Sequence, residues 1–108
     1  MKFAMLTNHM HEYGISAIGE LIKPDGTHIE LVNDSIRLPE QKFNPRYVRF
    51  SKTAPMAGSK GDIYHTRCTW KNTTGSPLAF PSEMCAGVGF YFPGRGMISC
   101  GDGGWSAP

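Results

Sequence analysis

The chain has no run of apolar residues approaching the roughly 20 needed to cross a bilayer as a helix, which argues against a membrane-spanning segment. It also lacks any cluster of Lys or Arg: 11 basic and 9 acidic residues leave a net charge of +2, spread along the sequence. The electrostatic footprint of a nucleic-acid binder is therefore missing. Charged residues make up only 19%, and 40% are hydrophobic, too apolar a mixture for a disordered chain. No Gly-rich phosphate loop sits between a strand and a helix, and no serine has a nucleophile-elbow context. The first residues meet Lys2 and then His9, His11 and Glu12 where a secretion signal would stay greasy. Either a mature or excised form is expected, or a chain that stays in the cytosol. What is abundant is glycine and proline, 13 and 8 of 108 residues, against about 12% together in ordinary chains. That composition excludes a helical bundle and favours short strands joined by turns. At this length one domain is expected.

Alternation supports the same reading. Lys2 to His11 alternates Phe3, Met5, Thr7, His9 and His11 against Ala4, Leu6, Asn8 and Met10, which suits a strand with both histidines on one face. Gly14 to Ile22 and Thr27 to Val32 form a hairpin around Lys23-Pro24-Asp25-Gly26, with Pro preset for the turn and Gly where positive φ is needed. Asn33-Asp34-Ser35 reads as a second turn, and Ile36 to Leu38 and Tyr47 to Phe50 as short strands around the Asn44-Pro45 breaker. Thr53 to Gly61 is a loop. Asp62 to Asn72 alternates again. Met84 to Phe92 places Met84, Ala86, Val88, Phe90 and Phe92 on one side and Cys85, Gly87, Gly89 and Tyr91 on the other, so a close neighbour is expected over the glycines. Residues 93–108 are Gly-rich and read as a loosely held tail, with docking by Trp105 as the alternative. The expectation is six or seven short strands in an antiparallel, all-β sandwich, residues 1–92, followed by that tail.

Two features carry chemistry. His9-Met10-His11 sets two imidazoles on one strand face, able to converge on a borderline ion such as copper or zinc, or simply to stand half-exposed at a strand end. Met84 is either a core methionine or a thioether ligand, and a thioether selects copper over zinc and hard cations. His28 and His65 read as ordinary strand histidines, or as a third nitrogen ligand should Met84 be remote. Asn33-Asp34-Ser35 and Asn72-Thr73-Thr74 fit the glycosylation pattern, which is too common to weigh. Three cysteines allow at most one internal bridge and leave one thiol over.

The order of short motifs is more specific than any one of them. H-x-H-E-x-G (His9 to Gly14), Gly61-Asp62 opening a strand with R-C-x-W (Arg67 to Trp70), N-T-T-G (Asn72 to Gly75) and S-E-M-C (Ser82 to Cys85) before an aromatic strand follow one another. From about Leu6 to Phe92 this order resembles the C-terminal domain of the copper type II, ascorbate-dependent monooxygenases, the family of the peptidylglycine α-hydroxylating and dopamine β-monooxygenases. The resemblance implies a jelly-roll-like β-sandwich whose copper ion is held by His9, His11 and Met84, with dioxygen activated for C–H hydroxylation of a small molecule or peptide. It implies a disulfide between Cys68 and Cys85, closing a loop of about 17 residues and removing on the order of 3 kcal/mol of unfolded-chain entropy. A disulfide in turn implies an extracellular or periplasmic location, with any leader removed. Glu12 and Glu83 flank the ligands as possible acceptors for imidazole N–H groups, a solvated carboxylate being the plainer role for each.

The departures from the family pattern set further expectations. The family's strands before H-x-H and its separate electron-donating copper domain have no counterpart in this sequence. Ascorbate, another reductant or a partner domain must then supply electrons. Cys100 has no partner before Lys2 and is expected to be free or paired between chains. A sheet missing its first strands exposes an edge, so a homodimer or a rearranged tail is expected. The alternatives to an enzyme are a copper carrier, a structural copper module, and an interaction domain with vestigial ligands.

Overall fold

A computed structural model describes residues 2–51, 53–92, 96–101 and 104–106. Nine strands are present among the described residues: β1 (Lys2–His9), β2 (Gly14–Ile22), β3 (His28–Asp34), β4 (Tyr47–Arg49), β5 (Met56–Ala57), β6 (Ile63–Trp70), β7 (Ala86–Phe92), β8 (Gly96–Gly101) and β9 (Gly104–Ser106). A single 3-10 turn, Pro39–Lys42, interrupts them. All pairings are antiparallel. The larger sheet runs β4-β1-β7-β8-β9, with β5 also on β1, and the smaller runs β3-β2-β6. The protein is therefore an all-β, sandwich-like fold of two antiparallel sheets. No helix among the described residues is long and apolar enough to cross a membrane.

The core is the layer between the sheets, built around Phe3, Leu6, Val32 and Tyr64, with Leu31, Val48, Phe50, Met56 and Tyr91 packed against it. Glycine governs how closely the layers approach. A Cβ on Gly87 would meet the Tyr64 ring and the Thr66 hydroxyl, and one on Gly89 would meet Leu6 and Phe3. The expected cover over the β7 glycines is thus the opposing β6 side chains and the neighbouring β1 side chains, and the glycine side is the core side. The bulky side of β7 faces outward: Phe90 is 39% exposed. Between the sheets, the Asn8 side-chain amide donates to the Ala17 carbonyl at 3.2 Å.

Several boundaries differ from the sequence reading. In β1 the register on β7 shifts between Phe3 and Met5. Phe3 therefore turns into the core beside Leu6 instead of sharing a face with His9, because a bulge reverses the alternation. β3 runs on through Asp34, whose carboxylate is buried and held by Arg37 and Gln41. The turn still forms one residue later, where the Ser35 N–H donates to the Asn33 side chain. Ile36 to Leu38 is not a strand. Its apolar side chains point to solvent, Ile36 at 79% exposure, while Arg37 between them turns inward. The Thr53 to Gly61 loop contributes the two residues of β5 to the edge at Lys2 and Phe3. The Gly-rich segment, expected to hang loosely, extends the larger sheet instead: β8 pairs with β7 and β9 with β8. Where the Trp105 side chain docks lies outside the described residues.

The Lys23-Pro24-Asp25-Gly26 turn closes as its residues demand. The Gly26 N–H donates to the Lys23 carbonyl at 2.9 Å, the Lys23 N–H to the Thr27 carbonyl at 2.8 Å, and Gly26 takes φ of 87°.

Candidate metal centre

β1 ends at His9 because the next residues leave the ladder: Met10 plunges into the interior, fully buried, and His11 begins the turn that closes with the Gly14 N–H on the His11 carbonyl at 3.2 Å. Directly paired residues of an antiparallel sheet share a face. Leu6 opposite Gly89 and Asn8 opposite Gly87 face the core, so His9, opposite Ala86, lies on the outer face of the larger sheet. His9 and His11 meet edge to face with ring centroids 5.1 Å apart. Two imidazoles sharing one ion through nitrogen–metal bonds of about 2 Å stand at a comparable separation.

The opposite wall is the segment leading into β7. The ladder ends at the His9–Ala86 pair, so Met84 lies two residues before β7 and His11 two residues after β1, both beyond the last paired residues. Side-chain bonds tie the two segments together. The His11 Nδ1 lies 2.9 Å from the Ser82 carbonyl, a contact that requires N–H at Nδ1 and leaves Nε2 as the free lone pair. Glu83 is buried at 7% exposure, and its carboxylate accepts backbone N–H groups from His11 (2.6 Å), Met84 (3.2 Å) and Tyr13 (3.3 Å). It is therefore neither the solvated carboxylate nor the imidazole acceptor that its sequence position suggested. Those backbone groups are the N–H donors that the strand end leaves over, and burial makes their satisfaction obligatory. Glu12 turns away to Lys42 at 3.1 Å, and that contact holds its carboxyl below the ordinary range. The imidazole acceptor is instead a main-chain carbonyl, which no residue pattern marks.

Cys68 and Cys85 form the disulfide, with Cα atoms 5.9 Å apart. The bridge links β6 of one sheet to the residue between Met84 and Ala86 in the other, so it anchors the thioether's own backbone. His9 is partly buried, and that desolvation, followed by the nearby His11, Arg37 and Lys42, holds its imidazole below the usual histidine value while Glu83 opposes them. A neutral imidazole is the form that ligates a metal.

Among the described residues no three His, Cys, Asp or Glu side chains converge as an ion would require. A His2Met set contains only two such residues, so the identity of any metal here turns on the thioether. His28 and His65 take no part: both sit on the smaller sheet, with their Nδ1 atoms 3.1 and 3.0 Å from the two oxygens of Glu20. Cys100 lies on β8 opposite Gly87, and the state of its thiol is outside the described residues. Glu83 also lines a cleft of about 260 Å³ together with Trp70, Asn72, Leu78, Ala79 and Phe80. Comparison with protein-family models, with curated proteins and with solved structures gives no significant match to this chain.

Proposed function

We propose that this chain is a mononuclear copper-binding module related to the copper-dependent monooxygenases, with His9, His11 and Met84 as the ligands. The observation that carries the reading is that Ser82 and Glu83 of the S-E-M-C segment bond to His11 of the H-x-H segment, beside the His9–Ala86 end of the β1–β7 ladder. The donor set fits. Two imidazoles sit at a shared-ion spacing, one with its tautomer fixed by Ser82, and Met84 follows the Glu83 that holds the His11 backbone; with its thioether as third ligand the set would suit copper, and reduced copper especially. The jelly-roll winding belongs to the same proposal.

Copper bound there supplies one-electron chemistry toward dioxygen, and so hydroxylation of a C–H bond, with ascorbate or another external donor providing electrons. The chain's own contribution is positional. Ser82 holds His11, Glu83 gathers the backbone of His11, Tyr13 and Met84, and the disulfide anchors the strand that carries Met84. A small molecule or peptide substrate would approach the ligands from the outer sheet face. One observation favours a copper carrier instead: the imidazoles lie on an outer sheet face, a position also suited to handing the ion to a partner. The disulfide supports an extracellular or periplasmic setting.

Titration with Cu(I) and Cu(II) tests the binding, and ascorbate-driven oxygen consumption with peptide or catechol substrates separates enzyme from carrier. The reading predicts a single tight Cu(I) equivalent. Copper-dependent turnover selects the enzyme, and tight binding without turnover under any reductant selects the carrier.

A further inference from the structure

The buried side of the H-x-H segment holds a charged group that no residue pattern marks. The Arg37 side chain is 0% exposed, on the core side of the turn that carries the two imidazoles. Its Nη2 donates to the Met10 carbonyl at 2.8 Å, and Met10 is the residue between His9 and His11. Its Nη1 lies 3.4 Å from Asp34, itself 2% exposed, and Gln41 donates to both Asp34 oxygens. The Arg37 backbone is fixed as well, its N–H donating to the Ile15 carbonyl at 3.1 Å. Its Nε has no partner among the described residues.

A carbonyl left over at a strand end needs one donor, and a turn N–H or a water meets that need at little cost. A guanidinium is a costly choice, because burying a charge with one ion pair and an unpaired N–H opposes folding. What the cation adds is charge and direction. It grips the H-x-H backbone from behind and sets a positive charge, partly offset by the paired Asp34, near His9, where a doubly charged ion is disfavoured relative to a singly charged one. Lys42 adds to the positive side of this balance and Glu83 opposes it.

We infer that Arg37 is a positioning residue for the His9–His11 pair, clamping the Met10 carbonyl and biasing the centre toward Cu(I) over Cu(II). The bias rests on the copper reading; the clamp stands on the metal-free geometry.

The test compares wild type with Arg37→Met, Arg37→Lys and the double variant Arg37→Met/Asp34→Asn, which leaves no unpaired buried carboxylate should the single variant fail to fold. Affinities for Cu(I) and Cu(II) are measured by chelator competition, and histidine ¹⁵N spectra are recorded on the metal-free proteins. In Arg37→Met the ratio of Cu(I) to Cu(II) affinity falls by about tenfold, the order expected for one unit charge facing another in a partly buried site, and in the double variant, which also removes the paired Asp34 anion, it falls by less. Arg37→Lys retains the ratio while losing part of the affinity, which a merely structural role would not separate. In the metal-free spectra, the uncharged variants lose the His11 preference for N–H at Nδ1. An unchanged affinity ratio in folded, uncharged variants overturns the bias, and unchanged His11 spectra overturn the clamp. If wild type binds no copper, the copper reading and the bias fall together, and the spectra alone decide the clamp.

Discussion

The molecule carries two pairs of histidines on its two sheets, and their surroundings assign them different chemistry. His28 and His65 stand on β3 and β6, the two strands flanking β2, and both direct Nδ1 to the one carboxylate of Glu20. They form an exposed polar bridge across three strands. His9 and His11 face each other instead, and among the described residues a main-chain carbonyl is the bonded partner of the His11 ring. The first pair is bound to an anion within the protein, whereas the second has nitrogen lone pairs to offer. A histidine's role is thus decided by what its other nitrogen meets, which is a property of strand register.

Breaking the comparison at its ligands should give the largest effect. Replacing His9 or His11 by Ala should lower Cu(I) affinity by about a hundredfold or more, while His28→Ala and His65→Ala leave it within about twofold in the same chelator competition. Next is the anchor. A Cys68→Ser/Cys85→Ser variant should lose about 3 kcal/mol of stability in denaturant unfolding, and copper affinity with it, because Met84 loses the fixed neighbour at Cys85. Met84→Leu sharpens the contrast between metal site and packing. Stability should change by less than about 1.5 kcal/mol, as for a volume-conserving swap, while Cu(I) affinity drops by about tenfold and Cu(II) affinity hardly moves.

The smallest effect belongs to the other pair. Hydrogen bonds from His65 first and His28 second hold the Glu20 carboxyl below its ordinary value of 4.5. A carboxyl with a depressed folded value adds stability above its unfolded value and loses it as pH falls through the folded value. Glu20→Gln should therefore unfold at a slightly lower temperature than wild type at pH 6, and the gap should close on acidification below pH 4.5. A gap that persists unchanged at low pH would show the bridge to be dispensable.

The parts that were legible in the sequence are those set by local chemistry. Pro24 and Gly26 specify their turn, the alternation of β6 specifies a strand, and the paired glycines of β7 imply a close neighbour, because each follows from a single residue's steric or polar needs. The disulfide came through family resemblance, since three cysteines alone leave its pairing open. What stayed hidden depends on register and tertiary context. The bulge after Phe3 reverses which side chains are buried without any proline or glycine to mark it. Arg37 lies between two exposed apolar residues, and only the fold shows that it turns inward while they turn out. The Ser82 carbonyl that orients His11 is backbone, so no side chain announces it, and Glu83 reads as an ordinary surface carboxylate until the strand end beside it is seen to lack acceptors. β8 and β9 were missed because glycine-rich sequence carries almost no alternation to read.

The most direct measurement is X-ray absorption at the copper edge on the Cu(I)-loaded protein, with Met84→Leu as its partner sample. The account predicts two imidazole nitrogens and one sulfur around the metal, with the sulfur signal gone in the variant. Copper bound by nitrogen alone in the wild type, or a spectrum that the substitution leaves unchanged, would contradict it.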